Sequence, residues 1–176
     1  KVSKVMLDFD AYEESKEYDN ISKISGLEKY AITAPVYCKP IIDTKFDKSV
    51  KQCKNDKVKR MFKYDKNALS LLILQDGGIN LDDYLKKIFP KQTLEEKKIF
   101  LTSIINLIDG LTFFREKNII HRDIKLLNIV YNINSGESKF IDFGLMTTKY
   151  KYIYNCKNNK EHFGISWNYF PPENSC

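Results

Sequence analysis

With 176 residues and a formal net charge of +6, the chain is long enough for one ordinary domain with a sizeable core, and its 43% hydrophobic, 30% charged make-up is that of a globular protein. Its longest apolar runs, such as residues 68–74, fall far short of the roughly 20 residues that a spanning helix needs, so no membrane partner is expected. Cys38, Cys53, Cys156 and Cys176 are scattered without a C-x-x-C pair, and only His162 lies loosely near Cys156, which reads as free thiols in a reducing, cytoplasmic setting. The densest basic stretch, residues 48–66, is broken by Asp56 and Asp65 and lacks aromatic residues at base-stacking spacing; a solvated loop is expected there, with no nucleic-acid partner.

The chain opens without Met, and residues 1–8 alternate loosely, as a strand entered midway. Residues 11–24 read as a charged helix on which Tyr18, Ile21 and Ile24 give one apolar stripe. Residues 31–37 and 61–64 are weakly strand-like, and 68–74 is a stronger strand, stopped by the turn signal Gln75, Asp76, Gly77 and Gly78, the best internal boundary. Asn80 can cap a helix over residues 81–88 that Pro90 ends. Thr93 and Glu96 form a capping box that opens a long helix, in which Leu101, Ile104, Ile105, Ile108 and Leu111 keep helical spacing and should form the core of the second half. Ile119 and Ile120 lead into a polar loop, and Ile129, Val130 and Tyr131 with Lys139, Phe140 and Ile141 read as a hairpin around residues 132–138. The class is α+β.

The chemistry is concentrated in His121, Arg122, Asp123, Lys125 and Asn128, followed nineteen residues after Asp123 by Asp142, Phe143 and Gly144. An acidic residue, a Lys two positions on and an Asn three beyond that make a compact loop, to which a second Asp arrives from a strand-like segment. Such a set can hold a hydroxyl, a phosphate and a divalent metal together. Either triplet alone is an ordinary turn; both, in this order and with the Lys and Asn between them, point to phosphoryl transfer.

These motifs closely resemble the signature of eukaryotic-type protein kinases of the Ser/Thr kind. The resemblance implies a two-lobed α+β fold cut at both ends: residues 1–74 as a partial N-lobe of small sheet plus helix, 75–79 as the hinge, and 80–176 as a mainly helical partial C-lobe. It implies ATP and Mg2+ as ligands and a protein Ser or Thr hydroxyl as acceptor. Asp123 would orient or accept the hydroxyl proton, Lys125 would neutralise charge on the phosphoryl group, and Asn128 with Asp142 would supply oxygen ligands to magnesium. By the same resemblance Lys4 is the ATP-contacting lysine of the first strand, and Glu17 is its ion-pair partner, with Glu13 and Glu14 as competitors. Leu74 lies at the back of the adenine pocket, and Gln75, Asp76 and Gly77 form the segment that meets the base. Ser166 bridges the catalytic Asp and Lys, and Glu173 closes the activation segment, where Pro171 departs from the usual Ala. Arg122 is placed either to pair with a phosphate on that segment, at Thr147, Thr148, Tyr150, Tyr152 or Tyr154, or to hydrogen-bond backbone carbonyls. The Pro-Pro-Glu ending and the Lys, Asn and Ile bias are similar to kinases of large DNA viruses and AT-rich protists, which allows a virus-encoded protein in host cytoplasm.

Two other readings compete. A pseudokinase or docking module usually loses the catalytic Asp, the metal Asp or the strand Lys, and all three are kept here. A small-molecule kinase of the aminoglycoside or choline type seldom joins a Lys like Lys125 to a Pro-Pro-Glu ending. The Gly-rich loop and the basal helices of the larger lobe are expected to lie outside this chain. Their loss would bare the apolar face of the helix through residues 101–111, leaving a fragment of poor stability and little activity by itself.

Overall fold

Alternation at the start of the chain forms β1 (Val2–Leu7), and Asp8 begins α1 (Asp8–Ser22). The computed structural model describes residues 1–158, which fall into two compact units: Lys1–Ile24 with Thr33–Asp76, and Ser25–Ile32 with the chain from Gly77 onward. The second unit thus includes residues 25–32, which the sequence reading grouped with the first.

In the first unit β1 and β2 (Val36–Cys38) flank β3 (Leu69–Leu74), both antiparallel to it, with Val2 opposite Leu74 and Leu7 opposite Leu69. Strand alternation sends Ser70 and Leu72 to one face and Leu69 and Leu71 to the other. On the first face Ser70 donates to Asp8 at the start of α1, and Asp8 also receives Tyr37 at 2.6 Å and Lys39 at 2.7 Å. Those donors, Lys39 first, hold the Asp8 carboxyl well below the usual carboxylate range. On the other face lies a helix pair, α2 (Thr44–Gln52) and α3 (Asp56–Tyr64), whose Phe46, Val50 and Val58 pack with Leu69, Val5 and Leu71.

That pair corrects two expectations. The basic stretch is helical, not a loop, because Asp43 and Asn55 cap the two helices by accepting from Phe46 N and Val58 N, and Phe46, Val50, Val58, Met61 and Phe62 supply an apolar face at helical spacing. Residues 61–64, read as strand, are the last turn of α3. The strand expected over 31–37 shrinks to β2 and one bridge from Ala31 to Phe140.

The second unit is built on helices and a hairpin. Gly78, at φ +98°, turns the chain so closely past Tyr131 that a Cβ would lie 2.2 Å from that residue's carbonyl oxygen. It leads into β4 (Ile79–Asn80) and α4 (Leu81–Lys87), capped as expected by Asn80, which accepts from Asp83 N. Pro90 then sits in a short 3-10 turn, Phe89–Lys91. The Thr93 and Glu96 capping box opens α5 (Leu94–Glu116). The chain continues through β5 (Ile119–Ile120), the polar loop, and the hairpin of β6 (Ile129–Asn132) and β7 (Glu137–Phe140), in register from Ile129 opposite Phe140 to Asn132 opposite Glu137. Next come β8 (Thr147–Thr148), paired with β5, and α6 (Lys149–Lys157).

α5 turns the opposite face inward from the one expected. Its buried stripe is Phe100, Ser103, Leu107, Gly110 and Phe114, while Leu101, Ile105 and Ile108 are each close to 60% exposed and Leu111 is also exposed. The two small residues of the buried stripe explain the choice. Ser103 meets Ser138 of β7 hydroxyl to hydroxyl at 2.6 Å, and at Gly110 a Cβ would stand 3.1 Å from Phe140 and from Tyr30. The hairpin can therefore approach only along this side, and the aliphatic stripe is left outside.

Phe114→Ala should lower the unfolding free energy by about 3–5 kcal/mol, and Ile105→Ala by less than about 0.5 kcal/mol, in urea melts. The sequence-based face would give the reverse order.

Candidate active site

The loop between β5 and β6 and the segment after β7 come together around one residue, Ile141. Its N–H donates to the Asn128 carbonyl at 3.0 Å, and its own carbonyl lies 3.1 Å from His121 Nε2. The residue just before Asp142 is thus tied at both ends to the loop that carries Asp123.

Within the loop Asp123 is the common acceptor. Lys125 Nζ donates to its carboxylate oxygens at 2.9 and 2.7 Å, and Asn128 Nδ2 donates to Asp123 Oδ2 at 2.7 Å and to the Asp123 carbonyl at 3.0 Å. The Lys125–Asp123 pair is mostly buried, at 20% and 12% side-chain exposure, where a charge-assisted contact is screened less than at the surface. A 3-10 turn, Leu126–Asn128, places Asn128 in this position, its N–H bonding the Lys125 carbonyl at 2.8 Å. With the Asn128 amide nitrogen committed to Asp123, the amide oxygen is the atom of that side chain that could serve as a metal ligand.

Arg122 at φ 68° and Asp142 at φ 64° both adopt the left-handed conformation, uncommon for residues with a Cβ. Strain of this kind, of order 1–3 kcal/mol for each residue, persists where surroundings over-determine it and clusters at functional sites. The surroundings here are aromatic. Phe143, fully buried, packs against His121 in a tilted pair with ring centroids 4.5 Å apart, and Phe114 and Phe140 close the same cluster. Burial holds the His121 imidazole below its ordinary pKa near 6.5, against the opposing pull of the Ile141 carbonyl and the charges of Asp123 and Asp142. The neutral ring donates from Nε2 to Ile141, leaving Nδ1 to accept from the Asp123 N–H at 3.4 Å. Arg122 lies over the Tyr152 ring, 5.5 Å from its centroid. Gly144 is exposed.

In the first unit Lys4, on β1, meets Glu14 of α1 with its Nζ 2.9 and 2.8 Å from the two carboxylate oxygens. This corrects Glu17 as the partner. Glu14 belongs to the inward stripe of Ala11, Glu14, Tyr18 and Ile21 and is only 9% exposed, whereas Glu17 is half-buried one turn further on. Gln75 and Asp76 are exposed and Gly77 partly buried in the extended connection after β3. Ser166 and Glu173 lie outside the described residues. The sequence reading missed Ile141, Phe114 and Phe140 as supports; the recurrence of Phe100, Leu107 and Phe114 at seven-residue steps is the signal that would have found Phe114.

Asp142 and Asn128 are hard oxygen donors, and magnesium takes one or two protein oxygens plus phosphate oxygens and water. The residues therefore fit magnesium-ATP, although among the described residues no cluster of three or more His, Cys, Asp or Glu side chains could hold a metal by itself. No helix among them is long and apolar enough to cross a membrane.

His121 carries a pH signature. Between the ordinary value near 6.5 and its own lower value, the unfolded chain binds a proton that the native ring refuses, so stability is lost as pH falls through that window. The midpoint of thermal unfolding should drop between pH 7.5 and 5.5, and His121→Gln should show a smaller drop; equal drops would remove His121 as the cause.

The family model described as "Protein kinase domain" matches residues 46–174. Relatives include the MAP kinase kinase MKK1/SSP32 of Saccharomyces cerevisiae, 31% identical over 115 residues that cover 64% of this chain and 22% of that protein. The probable serine/threonine-protein kinase fnkB of Dictyostelium discoideum is 37% identical over 82 residues, covering 46% of this chain and 14% of that protein, and mouse Aurora kinase C is 37% identical over 81 residues, covering 46% and 28%. The chain thus spans under a third of the length of each of these relatives. That match covers well over half of the sequence, and the chain belongs to the protein kinase domain family.

Proposed function

We propose that the protein transfers the γ-phosphoryl group of ATP to Ser or Thr hydroxyls of a protein. The observation that carries the reading is the Asp123 carboxylate held by both Lys125 and Asn128, with Asp142 tied to the same loop through Ile141. When bound, ATP would supply the phosphoryl group, and magnesium held by Asn128 and Asp142 would neutralise part of its charge. Asp123 orients the acceptor hydroxyl and takes its proton as the new O–P bond forms and the bond to ADP breaks. Lys125 keeps a positive charge beside Asp123, where negative charge gathers on the transferred group. Asn128 serves twice, fixing Asp123 through its amide nitrogen and offering its amide oxygen, with the Asp142 carboxylate, to the metal. Lys4, oriented by Glu14, is the phosphate-contacting lysine, and the backbone of Gln75, Asp76 and Gly77 is the segment for the adenine base. Family names such as that of fnkB support Ser/Thr over Tyr acceptors, as does Lys125.

In the full-length protein, radiolabel from γ-labelled ATP should enter a general protein substrate as phosphoserine and phosphothreonine. Asp123→Asn should lower the rate at least about 100-fold while ATP binding persists. Transfer that survives in Asp123→Asn, or phosphotyrosine as the sole product, would refute the reading, and binding without transfer in the unsubstituted protein would favour a pseudokinase. Glu14→Gln should weaken ATP binding several-fold and Glu17→Gln should not; the opposite order would restore Glu17 as the partner of Lys4.

A further inference from the structure

Residues 44–64, which contain α2 and α3, hold eight of the chain's 29 Lys and Arg and two of its 23 Asp and Glu. Their formal charge is +6, the net charge of the entire chain, so the rest of the sequence is balanced. A general coding bias toward Lys would spread the excess; here it is confined to one helix pair between two adjacent strands.

The placement of the charge is equally one-sided. Phe46, Val50 and Val58 face the sheet and are buried, while Lys45, Lys48, Lys51, Lys57, Arg60 and Lys63 recur at three-residue steps on the opposite side and are all exposed. The side-chain ion pairs of this segment are peripheral: Lys59 reaches Asp56 at 3.9 Å, and Asp47 is engaged by Lys66 from beyond α3. Like charges three residues apart on a helix repel, so this face works against the stability of the pair unless an anionic surface meets it.

We infer that the outer face of α2 and α3 is a docking surface for an acidic protein segment, one rich in Asp and Glu. A lipid surface is disfavoured because the apolar side of both helices is already buried in the unit's core and has nothing left to insert. Nucleic acid is disfavoured because Phe46 and Phe62 pack edge to face on the inner side, leaving Tyr64 as an isolated exposed ring instead of a run of stacking platforms. Lysines dominate the face, and their flexible point charges can follow a run of carboxylates without demanding a fixed geometry. The surface lies outside the catalytic residues, and its occupancy does not depend on phosphoryl transfer.

The test is a binding titration on the full-length protein without ATP, using a fluorescein-labelled 20-residue peptide of alternating Glu and Asp with Gly spacers. In parallel run vesicles containing phosphatidylserine and a 20-nucleotide RNA duplex. The peptide should bind, and its dissociation constant should rise about tenfold or more between 50 and 300 mM NaCl, as screening shortens. The variant Lys48→Gln/Lys51→Gln/Lys57→Gln/Arg60→Gln should bind at least about tenfold more weakly, with an unchanged helix signal and a thermal midpoint no lower than that of the unsubstituted protein showing that it folds. No saturable peptide binding by the unsubstituted protein, equal binding by the folded variant, or tighter binding of vesicles or duplex than of the peptide would overturn the inference. Because no turnover is measured, failure here leaves the catalytic reading standing, and failure of transfer leaves this one standing.

Discussion

The second unit is organised around the backbone of Ile141. Its N–H donates to Asn128 and its carbonyl accepts from His121, so the segment bearing Asp142 cannot move without disturbing the loop bearing Asp123. Two such hydrogen bonds in isolation contribute only about 1 kcal/mol each, net of water. Their weight comes from what they exclude: the His121 side chain, 3% exposed, has little access to another partner if the bond to Ile141 is lost. A buried polar group left unsatisfied costs more than the bond itself contributes. The positive φ values at Arg122 and Asp142 are held by the same arrangement, with Phe143 wedged against His121 as the apolar half of the clamp.

The clamp depends in turn on α5. Phe114 contributes to the aromatic cluster, while Ser103 and Gly110 let the β6–β7 hairpin come close enough to present Phe140 and then Ile141. The unexpected inward face of α5 is therefore not incidental to the chemistry. A helix that had turned Leu101, Ile105 and Ile108 inward would carry bulk where the hairpin lies, and Ile141 could not reach the loop.

Much of this was legible in the residues. The loop of His121, Asp123, Lys125 and Asn128 and the segment of Asp142 stand out by identity and order, and the structure ties the two segments together through Ile141. The capping residues Asn80 and Thr93 and the hairpin from Ile129 to Phe140 were readable from local patterns, and the structure shows them. The failures share a cause. Periodicity finds an apolar face but cannot choose between two, and on α5 the richer stripe is the outer one because close packing there favours small residues. Glu17 and Glu14 both lie on α1 near the expected place, and only the twist of the helix relative to β1 selects Glu14. Residues 61–64 resemble a strand by composition, and the Asn55 cap with the apolar spacing from Val58 to Phe62 makes them a helix. Ile141 acts through its backbone, which no side-chain pattern reveals.

The backbone of Ile141 locks the two acidic arms of the site into one cooperative element. Native-state amide hydrogen exchange on the full-length protein tests it directly. With the two arms locked, the Ile141 amide exchanges with a free energy close to that of global unfolding, alongside amides of the β6–β7 hairpin. Exchange of Ile141 at the rate of a fraying loop, while the hairpin stays protected, would contradict it and leave Asp142 and Asp123 as independently mobile groups.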